Sequence, residues 1–195
     1  MFMRKVIFGV GEYYHIYARG VDKRDLVVDD CDRRKFMWIL QKANSQEYCG
    51  RVAIVAYVLM DNHYHLVVRQ ERDYGVSQFM HSIGNTYVKW FNKRHDRTGR
   101  LFSSPYQAKH VDSDVYLQRL IRYIHRNPLN VINGIKSLEQ LEAYKWSSYR
   151  HYMDLERQSF LDNSLVHDFV SSDEYREYMK DDADEAIEPY IFDED

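Results

Sequence analysis

The stretch "AYVLMDNHYHLVVRQ" (Ala56–Gln70) closes an apolar run with two histidines one residue apart. Val, Leu and Tyr fill both halves, and Asp61-Asn62 between them carries turn chemistry, so it reads as strand, hairpin turn, strand. Side chains at i and i+2 of a strand point the same way. His63 and His65 therefore share one face, and Tyr64 and Leu66 take the other. Two imidazoles about 7 Å apart along a strand can converge on one divalent ion but cannot complete its shell. They are equally consistent with a sheet surface that holds no ligand, and His-x-His alone does not decide.

Working outward, "YYHIYARG" (Tyr13–Gly20) alternates like a strand that Gly20 ends. "DDCDRRKFMWILQKANSQEY" opens on capping aspartates and then spaces Phe36, Ile39, Leu40 and Ala43 as a helix does. "GVSQFMHSIGNTYVKWFNKRH" sets Val76, Phe79, Met80, Ile83, Tyr87, Trp90 and Phe91 on one stripe. The second half of "LFSSPYQAKHV" suits a fourth strand. "DSDVYLQRLIRYIHRNP" has cap candidates from Asp112 to Asp114, a stripe of Leu117, Leu120, Ile121 and Ile124, and Pro128 just past its end. The order strand, helix, strand, strand, helix, strand, helix predicts an α+β fold. Its expected form is a ferredoxin-like or RRM-like antiparallel sheet of about four strands with helices packed on one face.

At 195 residues the chain has the size of one domain of ordinary dimensions. Two cysteines, Cys31 and Cys49, lack metal-ligand spacing and are too few for a disulfide framework, which makes a reducing cytoplasm the expected compartment. The start turns polar too soon for a secretory signal, and no apolar run approaches the roughly 20 residues of a membrane span. Charge divides sharply along the chain. Residues 1–150 hold 24 Lys and Arg against 15 Asp and Glu, a formal +9; residues 151–195 hold 3 against 15, a formal −12. A basic body with an acidic tail describes this better than the net −3 does.

In "RYIHRNP", Tyr123 and Asn127 stand four apart, about 40° apart around a helix, so a phenol and an amide share one face. Among 17 tyrosines such a pair also arises by chance, as a packing tyrosine beside an amide near a helix end.

At these residues the chain resembles a known family. "HYHLVV" resembles the histidine-hydrophobe-histidine motif of HUH single-strand DNA nucleases, and "YIHRNP" resembles the nucleophile helix of their single-tyrosine transposase branch. The match is closest to the REP-associated tyrosine transposases, relatives of small insertion-sequence transposases. "YHIYARGVDKRDLVVDDCDRRKF", "VLMDNHYHLVV", "NKRHDRTGRLF", "VDSDVYLQRLIRYIHRNP" and "WSSYRHY" follow the family's order across roughly residues 13–152. Residues 1–152 are accordingly expected to form the catalytic domain, and 153–195 an acidic C-terminal extension.

The resemblance implies that His63, His65 and Asn127 bind Mg²⁺ or Mn²⁺ and that Tyr123 is the nucleophile. It further implies cleavage of hairpin-containing single-stranded DNA through a 5′-phosphotyrosine, with strand transfer by the reverse step. The DNA would come from repetitive extragenic palindromes or element ends. No small-molecule substrate and no membrane partner are expected, and the setting implied is a bacterial cytoplasm, at the nucleoid. Isologous homodimers occur among such relatives, and no segment here marks a dimer seam. Two departures stand out: "SSPY" (Ser103–Tyr106) where relatives carry a glycine and a basic residue, and Asp61 where proline is common. The acidic side chain of Asp61 could tighten cation binding or cap the turn.

Two basic groups could track a phosphate backbone: Lys89, Lys93, Arg94, Arg97 and Arg100, then Arg119, Arg122 and Arg126 on the helix of Tyr123. Either group could equally be a solubilising helix face. The tail "DEYREYMKDDADEAIEPYIFDED" reads as a competitor of DNA for that basic face or as a solvated end. Two other functions stay open: a binding module without turnover on an RRM-like sheet, and a two-histidine metal hydrolase that uses water.

Overall fold

A computed structural model describes residues 6–44, 51–131, 135–162 and 171–180. Its elements run β1 (Tyr13–Arg19), a 3₁₀ turn (Val21–Lys23), α1 (Asp30–Ala43), β2 (Val52–Leu59), β3 (His63–Gln70), α2 (Gly75–Arg94), β4 (Gln107–Val111) and α3 (Asp114–Val131). Three short helices follow: α4 (Leu138–Glu142), α5 (Tyr149–Tyr152) and α6 (Ser172–Lys180). The four strands form one antiparallel sheet in the order β2-β3-β1-β4. This is the ferredoxin-like order of a βαββαβ chain, as the sequence predicts.

Local chemistry explains the boundaries. Asp29 caps α1, its carboxylate accepting from the backbone of Cys31 at 2.9 Å and Asp32 at 3.1 Å. Gly20 ends β1 where the chain folds back so tightly that a Cβ would lie 2.0 Å from the Arg24 carbonyl oxygen. Ser103 donates its backbone N–H to the Arg19 carbonyl at 2.9 Å and Tyr106 is buried, so "SSPY" seats the loop that leads into β4.

The helices divide between the two faces of the sheet, which departs from the one-face expectation. α1 and α2 cover the face of Tyr14, Ile16, Tyr64, Leu66 and Val68. α3 and the short helices cover the other, where Val58 and Val67 meet Leu117, Leu120, Ile121 and Ile124. The cause lies in β2: "VAIVAYVL" is apolar at every position, and a strand apolar on both faces needs a layer on each. A bulge assists. Ile54 pairs with Val68 and Ala56 with Val67, leaving Val55 as an extra residue that reverses which side chains face which layer.

Pro128 lies inside α3 and not beyond its end. A proline this close to a helix terminus removes a single backbone hydrogen bond, and Leu129 continues the packing. α6 closes the second layer with buried Tyr175 and Met179. The acidic run of residues 181–195 lies outside the described residues.

At the centre of this layer, buried His125 places Nδ1 2.6 Å from the Tyr175 hydroxyl and Nε2 2.7 Å from Ser148 Oγ. Burial, with nearby His151, holds its pKa down to about 3. The folded state therefore keeps His125 neutral while the unfolded chain takes up a proton below about pH 6.5. Stability is fully present above that pH and drains away as the pH falls toward 3. Metal-free protein is expected to lose about 1.4 kcal/mol per pH unit from this residue between pH 6 and 4. Urea unfolding of wild type and His125→Gln across that range checks it: the variant starts less stable and has the flatter profile.

Candidate active site

The hairpin presents His63 and His65 toward α3, the layer opposite α1 and α2. One turn of α3 brings Tyr123 and Asn127 down on them. Asn127 makes the junction: its Oδ1 lies 2.9 Å from His63 Nε2, while its Nδ2 donates to the Tyr123 hydroxyl at 3.3 Å. The Tyr123 ring stands edge-on to His65, centroids 5.7 Å apart, and the two histidine rings are 5.2 Å apart. All four predicted site residues thus meet within one chain. Asn62 Oδ1, 2.7 Å from His63 Nδ1, orients that imidazole from behind.

Burial sets the protonation states. It pulls His63 down to about 4, against an opposing pull from the Asn127 hydrogen bond and assisted by nearby Arg19. His65 falls well below the ordinary range through burial first, then through the neighbouring His15 and His63. Both rings are therefore neutral at physiological pH, the state that ligates metals. Tyr123 is pushed up to about 12 by burial, with the Asn127 hydrogen bond opposing, so it is a neutral phenol at pH 7.

Among the described residues no group of three or more His, Cys, Asp and Glu side chains is placed to hold a metal, and the oxygen beside His63 Nε2 is that of the Asn127 amide. The 2.9 Å between His63 Nε2 and Asn127 Oδ1 fits two neighbouring ligands on one cation, which bonds of about 2.1 Å at right angles would set about 3 Å apart. Asp61 is not in this set. Its carboxylate pairs with Arg33 on α1 and its carbonyl accepts from Leu26 and Val27, so it anchors the turn.

Sequence reasoning missed His15 and Tyr17. Both lie on β1 facing the site, because Tyr17 pairs with His65 in the antiparallel register. His15 is fully buried, and its Nε2 is 2.9 Å from His65 Nδ1. Tyr17 packs over the pair, ring centroids 4.8 Å from His15 and 5.8 Å from His65. The alternation in "YHIYAR" signals that His15 and Tyr17 share a face; which strand pairs with it is not written locally.

The predicted basic residues separate into three groups. Lys89, Lys93, Arg100 and Arg119 are exposed, and Arg97 is half-buried with its guanidinium 5.7 Å from the Phe91 ring centroid. Arg122 is buried under Tyr178 of α6, 4.5 Å from its ring centroid, and Arg126 donates to the Met179 carbonyl. Arg94 joins Asp29 at 2.7 Å and the fully buried Asp32, which also contacts His95. Arg122, Arg126 and Arg94 therefore have structural work within the fold.

The family of IS200-like transposases matches residues 10–127, well over half of the chain and a span that contains His63, His65, Tyr123 and Asn127. The chain belongs to that family. In architecture it is similar to a REP-associated tyrosine transposase solved with a REP hairpin. The TM-score is 0.63 at 11% identity, over 83% of this chain and 98% of that one. A candidate transposase from Deinococcus radiodurans aligns with a TM-score of 0.39 at 19% identity, over 65% of this chain and 96% of that one. No curated protein matches the sequence. Among the described residues no helix is long and apolar enough to cross a membrane.

The position of Arg94 yields a test. Arg94→Ala leaves Asp32 buried with only His95 and backbone for company, and should lower the stability of the fold. Urea denaturation measures it; a loss near zero would mean that this pair does not hold α1 against α2.

Proposed function

We propose that this transposase is a divalent-metal-dependent endonuclease and strand transferase of single-stranded DNA, with Tyr123 as its nucleophile. The observation that carries this reading is the Asn127 amide, which meets His63 through its oxygen and the Tyr123 hydroxyl through its nitrogen. His63, His65 and Asn127 would hold the cation, and two imidazoles with one amide oxygen suit Mn²⁺ better than Mg²⁺. When bound, it would supply Lewis-acid polarisation of the scissile phosphate.

The remaining work falls to the chain's own side chains. Tyr123 Oη attacks phosphorus in line. The O–P bond forms as the P–O3′ bond breaks, the phenolic proton passes to a base or water, and the departing 3′ oxygen takes up a proton. Because burial favours the neutral phenol, proton removal has to accompany attack. The 5′-phosphotyrosine keeps the energy of the phosphodiester, so a second 3′-hydroxyl can reverse the step and join a new strand without ATP. Asn127 holds the phenol over the site. His15 sets the tautomer of His65: for Nε2 to carry a lone pair, Nδ1 must carry the proton and donate it to His15 Nε2.

The relative of the same fold was solved with a REP hairpin, which supports hairpin-containing single-stranded DNA as the substrate; a DNA substrate of that kind would place the protein at the nucleoid of a bacterial cytoplasm. Tyr123 meets the histidines of its own chain, so a partner subunit need not supply a catalytic residue even if the protein forms a homodimer.

Hairpin DNA labelled at either end, mixed with the protein and Mn²⁺ and run on a denaturing gel, tests the mechanism. A protein adduct carrying only the fragment 3′ of the cut is expected from wild type, and none from Tyr123→Phe. Cleavage that persists in Tyr123→Phe would point to attack by water and reject the tyrosine. For His15, Mn²⁺ calorimetry should show affinity reduced about tenfold or more in His15→Leu and largely kept in His15→Gln, whose amide oxygen can still accept from His65.

A further inference from the structure

We infer that the outward face of α1 and α2, on the side of the sheet remote from the histidines, is a second DNA surface that holds an unpaired strand. The inference rests on the DNA-processing reading above and adds a place where that strand is held away from the tyrosine.

Residues 33–43 and 75–94, nearly the whole of the paired helices, contain seven Lys and Arg and not one Asp or Glu. Arg33 and Arg94 are tied into ion pairs with Asp30, Asp61, Asp29 and Asp32. The other five are Arg34, Lys35, Lys42, Lys89 and Lys93. Two indoles lie among them. Trp38 is 47% exposed, with Lys35 Nζ 4.0 Å and Lys42 Nζ 4.9 Å from its ring centroid. Lys35 Nζ is also 6.0 Å from the Trp90 ring centroid, so it links the two rings across the helix pair. Beside Trp90, Asn85, Thr86, Lys89 and Lys93 line a shallow depression of about 350 Å³.

A solvated helix face usually mixes signs, because i,i+4 pairs of opposite charge stabilise it and like charges do the reverse. Beyond the Asp30–Arg33 pair at the start of α1, residues 33–43 and 75–94 supply no acidic side chain to balance their cations, and the Trp38 ring is left half in water. Phosphates would neutralise the crowded cations and release counterions, and an unpaired base would stack on the indole. A duplex presents no free base face to stack, so the exposed tryptophan selects single-stranded DNA. α1 and α2 cover the face opposite the site, so a strand held at both places passes around an edge of the sheet.

The test uses the full chain carrying Tyr123→Phe, so that the probe stays intact, and measures anisotropy of labelled dT₁₂ across a salt series. Lys42, Lys89, Lys93 and Trp38 are exposed, and thermal unfolding confirms that each variant is folded. Lys42→Glu with Lys89→Glu and Lys93→Glu is expected to weaken binding at least tenfold and flatten the plot of log affinity against log salt by about two. Trp38→Ala is expected to weaken binding about fivefold or more with an unchanged slope, and to abolish most of the tryptophan quenching that dT₁₂ produces. Unchanged affinity and slope in both variants overturn the inference. If wild type still forms the hairpin adduct in that case, the nuclease reading stands alone. Loss of dT₁₂ binding in the variants with no adduct from wild type leaves this surface standing and sinks the nuclease reading.

Discussion

The docking of α3 on the second face of the sheet is the constraint from which the rest follows. β2 and β3 carry Val58 and Val67 toward that face, and an apolar sheet face left open to water would cost more than the fold could bear. The helix that covers it presents Leu117, Leu120, Ile121 and Ile124 to the strands, and the same geometry lowers Tyr123 and Asn127 onto His63 and His65. Hydrophobic burial thus sets the position of the polar groups. The site inherits its geometry from packing that involves none of its chemistry.

Burial also governs the charge states. An imidazole in water is half protonated near pH 6.5, whereas His15, His63 and His65 all sit where burial disfavours the cation. Three rings in close contact tolerate one another only while neutral. A surface imidazole would be partly protonated near neutral pH, whereas burial keeps these three in the ligating state down to lower pH.

Much of this was legible in the chain itself. The period-two pattern around His63 and His65 gave their shared face, the four-residue spacing of Tyr123 and Asn127 gave theirs, and the element order predicted the sheet. Three things were not legible, each for a physical reason. The second helical layer hid in a strand with no alternation, since "VAIVAYVL" reads the same whether one face or both are buried. His15 stayed hidden because its importance depends on register, and register is set by partners distant in sequence. Arg122 and Arg126 looked like free surface cations because a sequence lists charges without showing what lies above them, and Arg94, though exposed, is already paired with Asp29 and Asp32.

α6 has a bearing on how the chain can be cut. Tyr175 reaches into the second layer to meet His125, Tyr178 lies across Arg122, and the Met179 carbonyl receives Arg126. All three contacts fall on the helix that bears Tyr123. A fragment ending at Tyr152 would leave that imidazole and two guanidinium groups facing solvent along a bared seam. Residues 172–180 act as a splint for the helix in front of them, and trimming them should loosen the alignment of the phenol with the histidine pair.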